Sequence, residues 1–201
     1  DYNPTLTKSA DELYSALLEE AEAFAPSSRA ELHYFYATHL EDMTNSLEDL
    51  ERCFSLLETC NLILETEAED ICRRSGCFCA MARIELQRGN VDRALSLSLR
   101  SREYAIATGS HVFLGMANFS LHRAYLLMGD HPQARRHGLL ALEEMEKAGG
   151  APGAIMALAS IGYMHVLEGK AELSRQYFYR ALQLSQANSY SFGEMNCNYL
   201  L

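Results

Sequence analysis

The sequence predicts an all-α fold, a solenoid of antiparallel helix pairs, and the spacing of its glycines is the first observation that predicts it. Gly89, Gly129 and Gly169 recur at intervals of 40 residues, each between two helix-forming segments. Glycine tolerates the positive φ at which a helix commonly ends. A polar residue follows each of these glycines, so the chain can reverse there and begin a new helix. The pattern is typical of a tandem array of helical hairpins.

Small side chains at fixed offsets from these glycines are the second observation. They occur seven residues before the glycine, five after it and twelve after it. The positions hold Ala82, His122 and Gly162, then Ala94, Ala134 and Ser174, and then Ser101, Ala141 and Ala181. Small residues let two helix axes approach closely, whereas larger ones push them apart. We therefore expect the two helices of each unit to pack tightly, with His122 as the exception.

Composition is the third observation, and it also excludes function classes. The 201 residues are 48% hydrophobic with only four prolines, which suits one continuous buried core. Acidic residues outnumber basic ones by 27 to 17, whereas nucleic-acid binding needs clustered Lys and Arg, so we expect no direct contact with nucleic acid. The chain has no apolar run of about 18 to 20 residues, as a membrane helix needs, and no signal-like N-terminus. We expect a cytoplasmic protein that makes no contact with membranes.

Two capping boxes mark the first helices. Ser9 with Glu12, and Ser28 with Glu31, have the spacing at which a hydroxyl and an acid satisfy free backbone amides at a helix start. We therefore expect helices to begin at Ser9 and Ser28.

A divergent helix pair follows the first helix. Asn45 lies 44 residues before Gly89 and separates a helix at about 28–43 from one at about 46–66. The domain prediction for residues 1–66 is thus a capping helix and a divergent pair.

Three regular units and a partial one complete the chain. Residues 67–189 are predicted to hold three repeats of about 40 residues, and 190–201 the first helix of a truncated further repeat. The breaks between units are expected at Thr108-Gly109-Ser110, at 149–153 and at Asn188-Ser189. Because the sequence starts without Met and ends within a helix pattern, we expect a fragment of a longer protein. The apolar face of the last helix could form a homodimer.

The repeats resemble those of the tetratricopeptide (TPR) family. In the third unit the family positions are occupied by Leu158, Ile161, Gly162, Gly169, Ser174, Phe178 and Ala181. His122 and Gly138 depart from the family pattern in the second unit, and Glu85, Ser98 and Ser101 depart in the first. The long repeat is similar to those of bacterial regulators related to the maltose activator and of repeat domains fused to diguanylate cyclases. The resemblance implies a right-handed superhelix whose concave face is lined by the first helix of each pair.

The candidate site is this concave groove. The groove positions carried over from the resemblance are Cys79, Arg83, Leu86, Gln87, Met116, Phe119, Arg123, Leu126, Leu127, Met156, Ser160, Tyr163, Val166 and Leu167. Arg83 and Arg123 share one offset, so they are expected to form a basic ladder with Tyr163 as its next rung. Guanidinium groups suit carboxylates, which predicts a peptide ligand with one anionic group and apolar side chains. Ordinary ion pairs with neighbouring glutamates are the alternative.

Metal and catalytic sites are not predicted. Cys72, Cys77 and Cys79 cannot converge on one ion, since Cys77 lies about 200° around a helix from Cys79. We therefore expect the cysteines to pack as small buried hydrophobic residues. Free thiols imply a reducing compartment. The histidines show no helical metal-site spacing, and no catalytic motif is present. We expect no cofactor, no metal and no enzymatic activity in this segment.

The predicted function is therefore that of a non-catalytic, protein- or peptide-binding regulatory domain of a larger bacterial protein. A small-molecule effector domain of a transcription activator is an alternative, and it predicts a closed apolar pocket. A sensory region of a diguanylate cyclase (GGDEF) protein and an oligomerisation segment are two others. The partner, the output domain and the sign of regulation are not specified by the sequence.

Overall fold

The computed structural model describes residues 4–43 and 46–190, and this part of the chain is all-α. It holds nine α-helices and one short 3-10 turn at Ala21–Ala23. The helices are α1 (Pro4–Glu19), α2 (Pro26–Met43), α3 (Leu47–Thr66), α4 (Ile71–Gln87), α5 (Val91–Thr108), α6 (His111–Leu127), α7 (His131–Lys147), α8 (Ala151–Leu167) and α9 (Ala171–Ala187). None of these helices combines the length and apolar character that a membrane span requires.

Helices pair in sequence order, and the predicted glycines form the turns. α4 packs against α5, α6 against α7, and α8 against α9, while each pair also packs on the next. Gly89, Gly129 and Gly169 have φ of 81°, 75° and 72°, a left-handed conformation that other residues adopt at a cost. The glycine spacing therefore predicted the turns of these three pairs correctly.

The small residues at the fixed offsets lie in the closest helix contacts. Ala82, Ala94 and Ala141 are fully buried. At Gly162 an added Cβ would lie 2.7 Å from Cε1 of Phe178, so the ring of α9 rests directly on the backbone of α8. The expectation of tight packing within each pair is confirmed.

The first helices of the pairs approach one another more closely than the second helices do. α2 contacts α4, α4 contacts α6, and α6 contacts α8, whereas α3, α5, α7 and α9 make no comparable contacts with one another in the described residues. A stack that is tighter on one side curves toward that side. The result is a right-handed α-solenoid with α2, α4, α6 and α8 along its concave face.

Two predicted helix starts are wrong. α1 begins at Pro4, upstream of Ser9, and α2 begins at Pro26, so Ser28 lies within its first turn. Proline suits the first helical position because it lacks the amide hydrogen that would be unsatisfied there. The start of α3 agrees with the prediction, since the Ser46 hydroxyl accepts a hydrogen bond from the Asp49 amide at 3.1 Å. Residues 191–201 lie outside the described residues, so the further helix and the homodimer stay predictions.

Candidate functional site

A line of charged side chains crosses the concave face from α2 to α6. On α4, Arg83 donates from Nε to Oε1 of Glu41 on α2 at 2.7 Å and from Nη2 to the other carboxylate oxygen. Gln87, one turn further along α4, donates from Nε2 to Oε1 of Glu41 at 2.9 Å. The carboxylate of Glu41 is thus shared by three donors.

The Glu41–Arg83 pair is a structural contact between α2 and α4. The side chain of Glu41 is only 3% exposed and that of Arg83 is 32% exposed. Burial lowers the pKa of Arg83, but the hydrogen bonds to Glu41 and its negative charge outweigh burial and raise the pKa overall. Two bonds to one carboxylate fix the guanidinium plane. Arg83 is therefore held in place, and its charge is largely compensated.

Arg123 on α6 is the next rung, and its guanidinium has no such partner. It makes no hydrogen bond or ion pair with any residue in the described part of the chain. Its side chain is half-buried. Burial and the charge of Arg83 lower its pKa, while Glu41 opposes this shift. A half-buried cation without a hydrogen-bonding anion is favourable for binding an acidic ligand.

His122, the neighbour of Arg123, is buried beneath the groove as a neutral ring. Its Nδ1 lies 2.7 Å from the Ala134 carbonyl oxygen, so this nitrogen carries the hydrogen and donates it. Its Nε2 then accepts from the Ser160 hydroxyl at 2.8 Å. Burial lowers the pKa of His122, in agreement with the neutral form. Ser160, a predicted groove residue, is therefore engaged by the core.

Twelve of the fourteen predicted groove residues are exposed or half-buried. The exposed ones are Gln87, Leu127, Met156, Tyr163, Val166 and Leu167. The half-buried ones are Arg83, Met116, Phe119, Arg123, Leu126 and Ser160. The exposed apolar members all belong to α6 and α8, so the apolar part of the face lies in the second and third glycine repeats.

Two predicted groove residues are buried between helices. Leu86 is 6% exposed and packs with Ala94 of α5 and Ala124 of α6. The Sγ of Cys79 lies 3.6 Å from the Ser120 hydroxyl oxygen and is also buried. Both side chains pack helix against helix and cannot touch a ligand in the groove, so the expectation that they face it is corrected.

A cavity of about 270 Å³ opens near the N-terminal ends of α4 and α6. Its lining combines aromatic and aliphatic side chains with two thiols and an ion pair at its edge. The lining residues are Ala30, Glu31, Tyr34, Phe35, Cys60, Leu64, Arg73, Gly76, Cys77 and Phe113. Burial raises the pKa of Tyr34 to about 12, so this phenol is neutral. This cavity could not be predicted from the sequence, because α2 and α3 form about half of it. This pair lacks the glycine that fixes the relative positions of the two helices in the later repeats.

Two further charged clusters lie at turns between helices. At the end of α8, Glu168 accepts hydrogen bonds from Lys170 at 2.9 Å and from Arg135 of α7 at 2.6 Å. At the end of α4, Asn90 donates to the buried Glu85 at 2.6 Å. In the described residues no group of three or more His, Cys, Asp or Glu side chains is placed to hold a metal ion. These carboxylates are satisfied within the protein.

Comparison with known proteins identifies the architecture. No protein-family model matches the chain, and no curated protein matches it in sequence. Solved structures do match. Aspartyl phosphate phosphatase F from Bacillus subtilis superposes with a TM-score of 0.82 at 14% identity, over 96% of this chain and 49% of that one. The chain has a TPR-like repeat fold.

Further structures with this TPR-like fold differ in length. BtubC (BKLC) from P. vanneervenii matches with a TM-score of 0.76 at 14% identity, over 96% of this chain and 82% of that one. A signal transduction ATPase (STAND) protein with a tetratricopeptide repeat sensor, from Pyrococcus horikoshii, matches with a TM-score of 0.74 at 16% identity, over 93% and 27%. The TPR-like chain thus spans half or less of two of these three neighbours.

Proposed function

We propose that this chain is a non-catalytic regulatory repeat domain that binds a peptide segment of another protein along its concave face. A carboxylate of the peptide binds Arg123. The observation that carries this proposal is the contrast between two arginines at one offset: Glu41 forms hydrogen bonds with Arg83, whereas Arg123 makes no hydrogen bond or ion pair in the described part of the chain. Arg123 is therefore the anchor, and Arg83 is fixed beside it.

The composition of the groove supports a peptide with both acidic and apolar residues. Tyr163, Val166 and Leu167 on α8 are each about half exposed, at 47%, 49% and 53%. Exposed apolar side chains next to a polar anchor are typical of protein-binding surfaces. The net charge of −10 makes nucleic acid an unfavourable ligand. The domain acts in the cytoplasm, without a cofactor, as part of a larger signalling protein.

The proposal is tested with a panel of labelled octapeptides that each place one glutamate among apolar residues. Fluorescence anisotropy at low salt measures binding to the wild-type chain and to the variant R123E. We expect a subset of the peptides to bind the wild type and to lose at least about tenfold in affinity to R123E, since one charged contact contributes about 1.5–3 kcal/mol. Circular dichroism checks that helicity is unchanged.

The matched control is R175E. Arg175 is an exposed arginine on α9 that pairs only with the exposed Glu172 in the described residues, at 3.2 Å. Its charge reversal changes the net charge of the protein as much as R123E does, so a general electrostatic effect lowers binding in both variants. Equal losses in R123E and R175E, or equal binding of peptides in which glutamine replaces glutamate, would contradict the proposal.

Small-molecule sensing is a second candidate function, and the cavity between α2, α3, α4 and α6 favours it. A volume of about 270 Å³ with a mostly apolar lining suits a small amphiphile. A thermal-shift screen with such compounds would find stabilisation in the wild type that is lost in A30L, which narrows the cavity. If no compound in the screen raises the melting temperature, this second candidate is refuted.

A further inference from the structure

Two buried thiols meet between α3 and α4, outside the groove. Cys60 and Cys77 place their Sγ atoms 3.2 Å apart, and both thiols are free. Their residues are 1% and 0% exposed. The two sulfurs need to approach by only about 1 Å to reach the S–S bond length of ~2.05 Å. The packing of α3 against α4 therefore already holds them side by side.

The cavity gives this pair a route to small reagents. Cys60 and Cys77 both line its wall, and Cys53 and Cys79, which are equally buried, do not. The volume of about 270 Å³ is several times the ~30 Å³ that one water molecule occupies in the liquid. A reagent of the size of hydrogen peroxide can therefore enter the cavity whose wall these two residues form.

We propose that Cys60 and Cys77 form a reversible disulfide when a peroxide enters the cavity. One thiol gives up its proton, and the thiolate attacks a peroxide oxygen; the O–O bond breaks, a sulfenic acid forms, and the departing hydroxide takes up the released proton to give water. The second sulfur then attacks the sulfenic sulfur, the S–S bond forms, and the S–O bond breaks to release a second water with the remaining thiol proton. The two thiols lose two electrons, and the peroxide takes them up. A dithiol reductant reverses the reaction.

The two thiols are buried and in hydrogen-bond contact. The hydrogen bond with Cys60, together with burial, raises the pKa of Cys77. Either sulfur can form the sulfenic acid, and the other one then resolves it.

The bond would join the N-terminal helix pair to the first glycine repeat. α3 packs against α2, which holds Glu41, and α4 carries Arg83. The link closes the chain segment 60–77 and restricts the unfolded state. Oxidation therefore stabilises the junction on which the Glu41–Arg83 contact depends.

The test is to expose the folded wild-type protein to excess hydrogen peroxide, block the remaining thiols with N-ethylmaleimide and digest with trypsin without reduction. We expect mass spectrometry to find peptide 53–73 linked to peptide 75–83. Peptide 53–73 also holds Cys53 and Cys72, and peptide 75–83 also holds Cys79, so fragment ions must locate the bond at residues 60 and 77. The melting temperature should rise by about 5–10 °C on oxidation and return after dithiothreitol.

Cysteine-to-alanine variants distinguish the 60–77 bond from oxidation at other cysteines. C60A and C77A should each abolish the link, and each should accumulate a dimedone adduct at the cysteine of the pair that remains. C53A, a change at a buried cysteine outside the cavity lining, should retain the link. Absence of the 60–77 bond while Cys72 is oxidised, or its formation only in denaturant, would overturn the proposal. The peptide map of the wild type shows by itself whether the 60–77 bond forms. The test therefore still decides the proposal if an alanine variant fails to fold.

Discussion

His122 and Gly138 show how single residues adapt a repeat without changing its backbone. The third repeat pairs a small residue, Gly162, with a large one, Phe178, and the second repeat reverses the sizes at the same two offsets. A Cβ at Gly138 would lie 2.9 Å from His122 Nδ1 and 3.0 Å from the Ile161 Cγ1 atom. The two departures from the family pattern in this unit therefore compensate each other, since the large side chain of His122 fills the space that Gly138 leaves free.

G138A is expected to destabilise the protein by about 1–3 kcal/mol, because the added methyl overlaps the ring of His122. Its cost should be smaller in the H122A background, where the ring is absent. Urea unfolding of the wild type, the two single variants and the double variant measures this coupling. Additive effects of the two substitutions would show that the two sites do not share one space.

His137 is expected to make stability fall on acidification. Burial, together with the charges of Arg102 and Arg136, lowers its pKa from 6.5 to about 4. Between these values the unfolded chain binds the proton more readily than the folded one, so the free energy of unfolding falls as pH drops from 6.5 to 4. In urea unfolding at several pH values, the free energy of unfolding of H137Q should fall less between pH 6.5 and 4 than that of the wild type. If the free energy of unfolding falls equally with pH in both proteins, His137 is not the cause of the decline.

At the scale of the element, the turns could be predicted and the first helix starts could not. A glycine with positive φ is a strong local signal, and the three that recur at the regular interval place the bends between α4 and α9. The capping boxes at Ser9 and Ser28 compete with Pro4 and Pro26, which begin the helices earlier. A serine three residues before an acid also fits inside a helix, so that pattern alone does not identify a start.

G129A is expected to cost about 1–2 kcal/mol, because alanine at a φ of 75° brings its Cβ against the following carbonyl. G129N is the matched variant, since asparagine tolerates this conformation better than other residues with a side chain. No neighbouring atom lies within 4 Å of a Cβ at this glycine, so backbone strain alone is measured. Thermal unfolding that ranks G129N below G129A in stability would refute this explanation.

For the whole molecule, the periodic sequence predicted the solenoid and its concave face, but only part of what lies on that face. Arg83 and Arg123 share an offset, so their adjacency followed from the repeat. Glu41, which binds Arg83 and not Arg123, lies in the helix pair α2–α3, which has no glycine in the 40-residue series. The position of Glu41 relative to α4 depends on helix packing and does not follow from that spacing. The contact of Cys60 with Cys77 was missed for the same reason.

A charge-reversal cycle between Arg123 and the peptide tests the central claim most directly. A peptide that binds the wild type is compared with its Glu→Lys analogue, and both are titrated against the wild type and R123E. The account predicts that the Lys peptide binds R123E better than the Glu peptide does, while the wild type shows the opposite preference. If both proteins prefer the same peptide, Arg123 does not bind the carboxylate, and the proposed recognition is wrong.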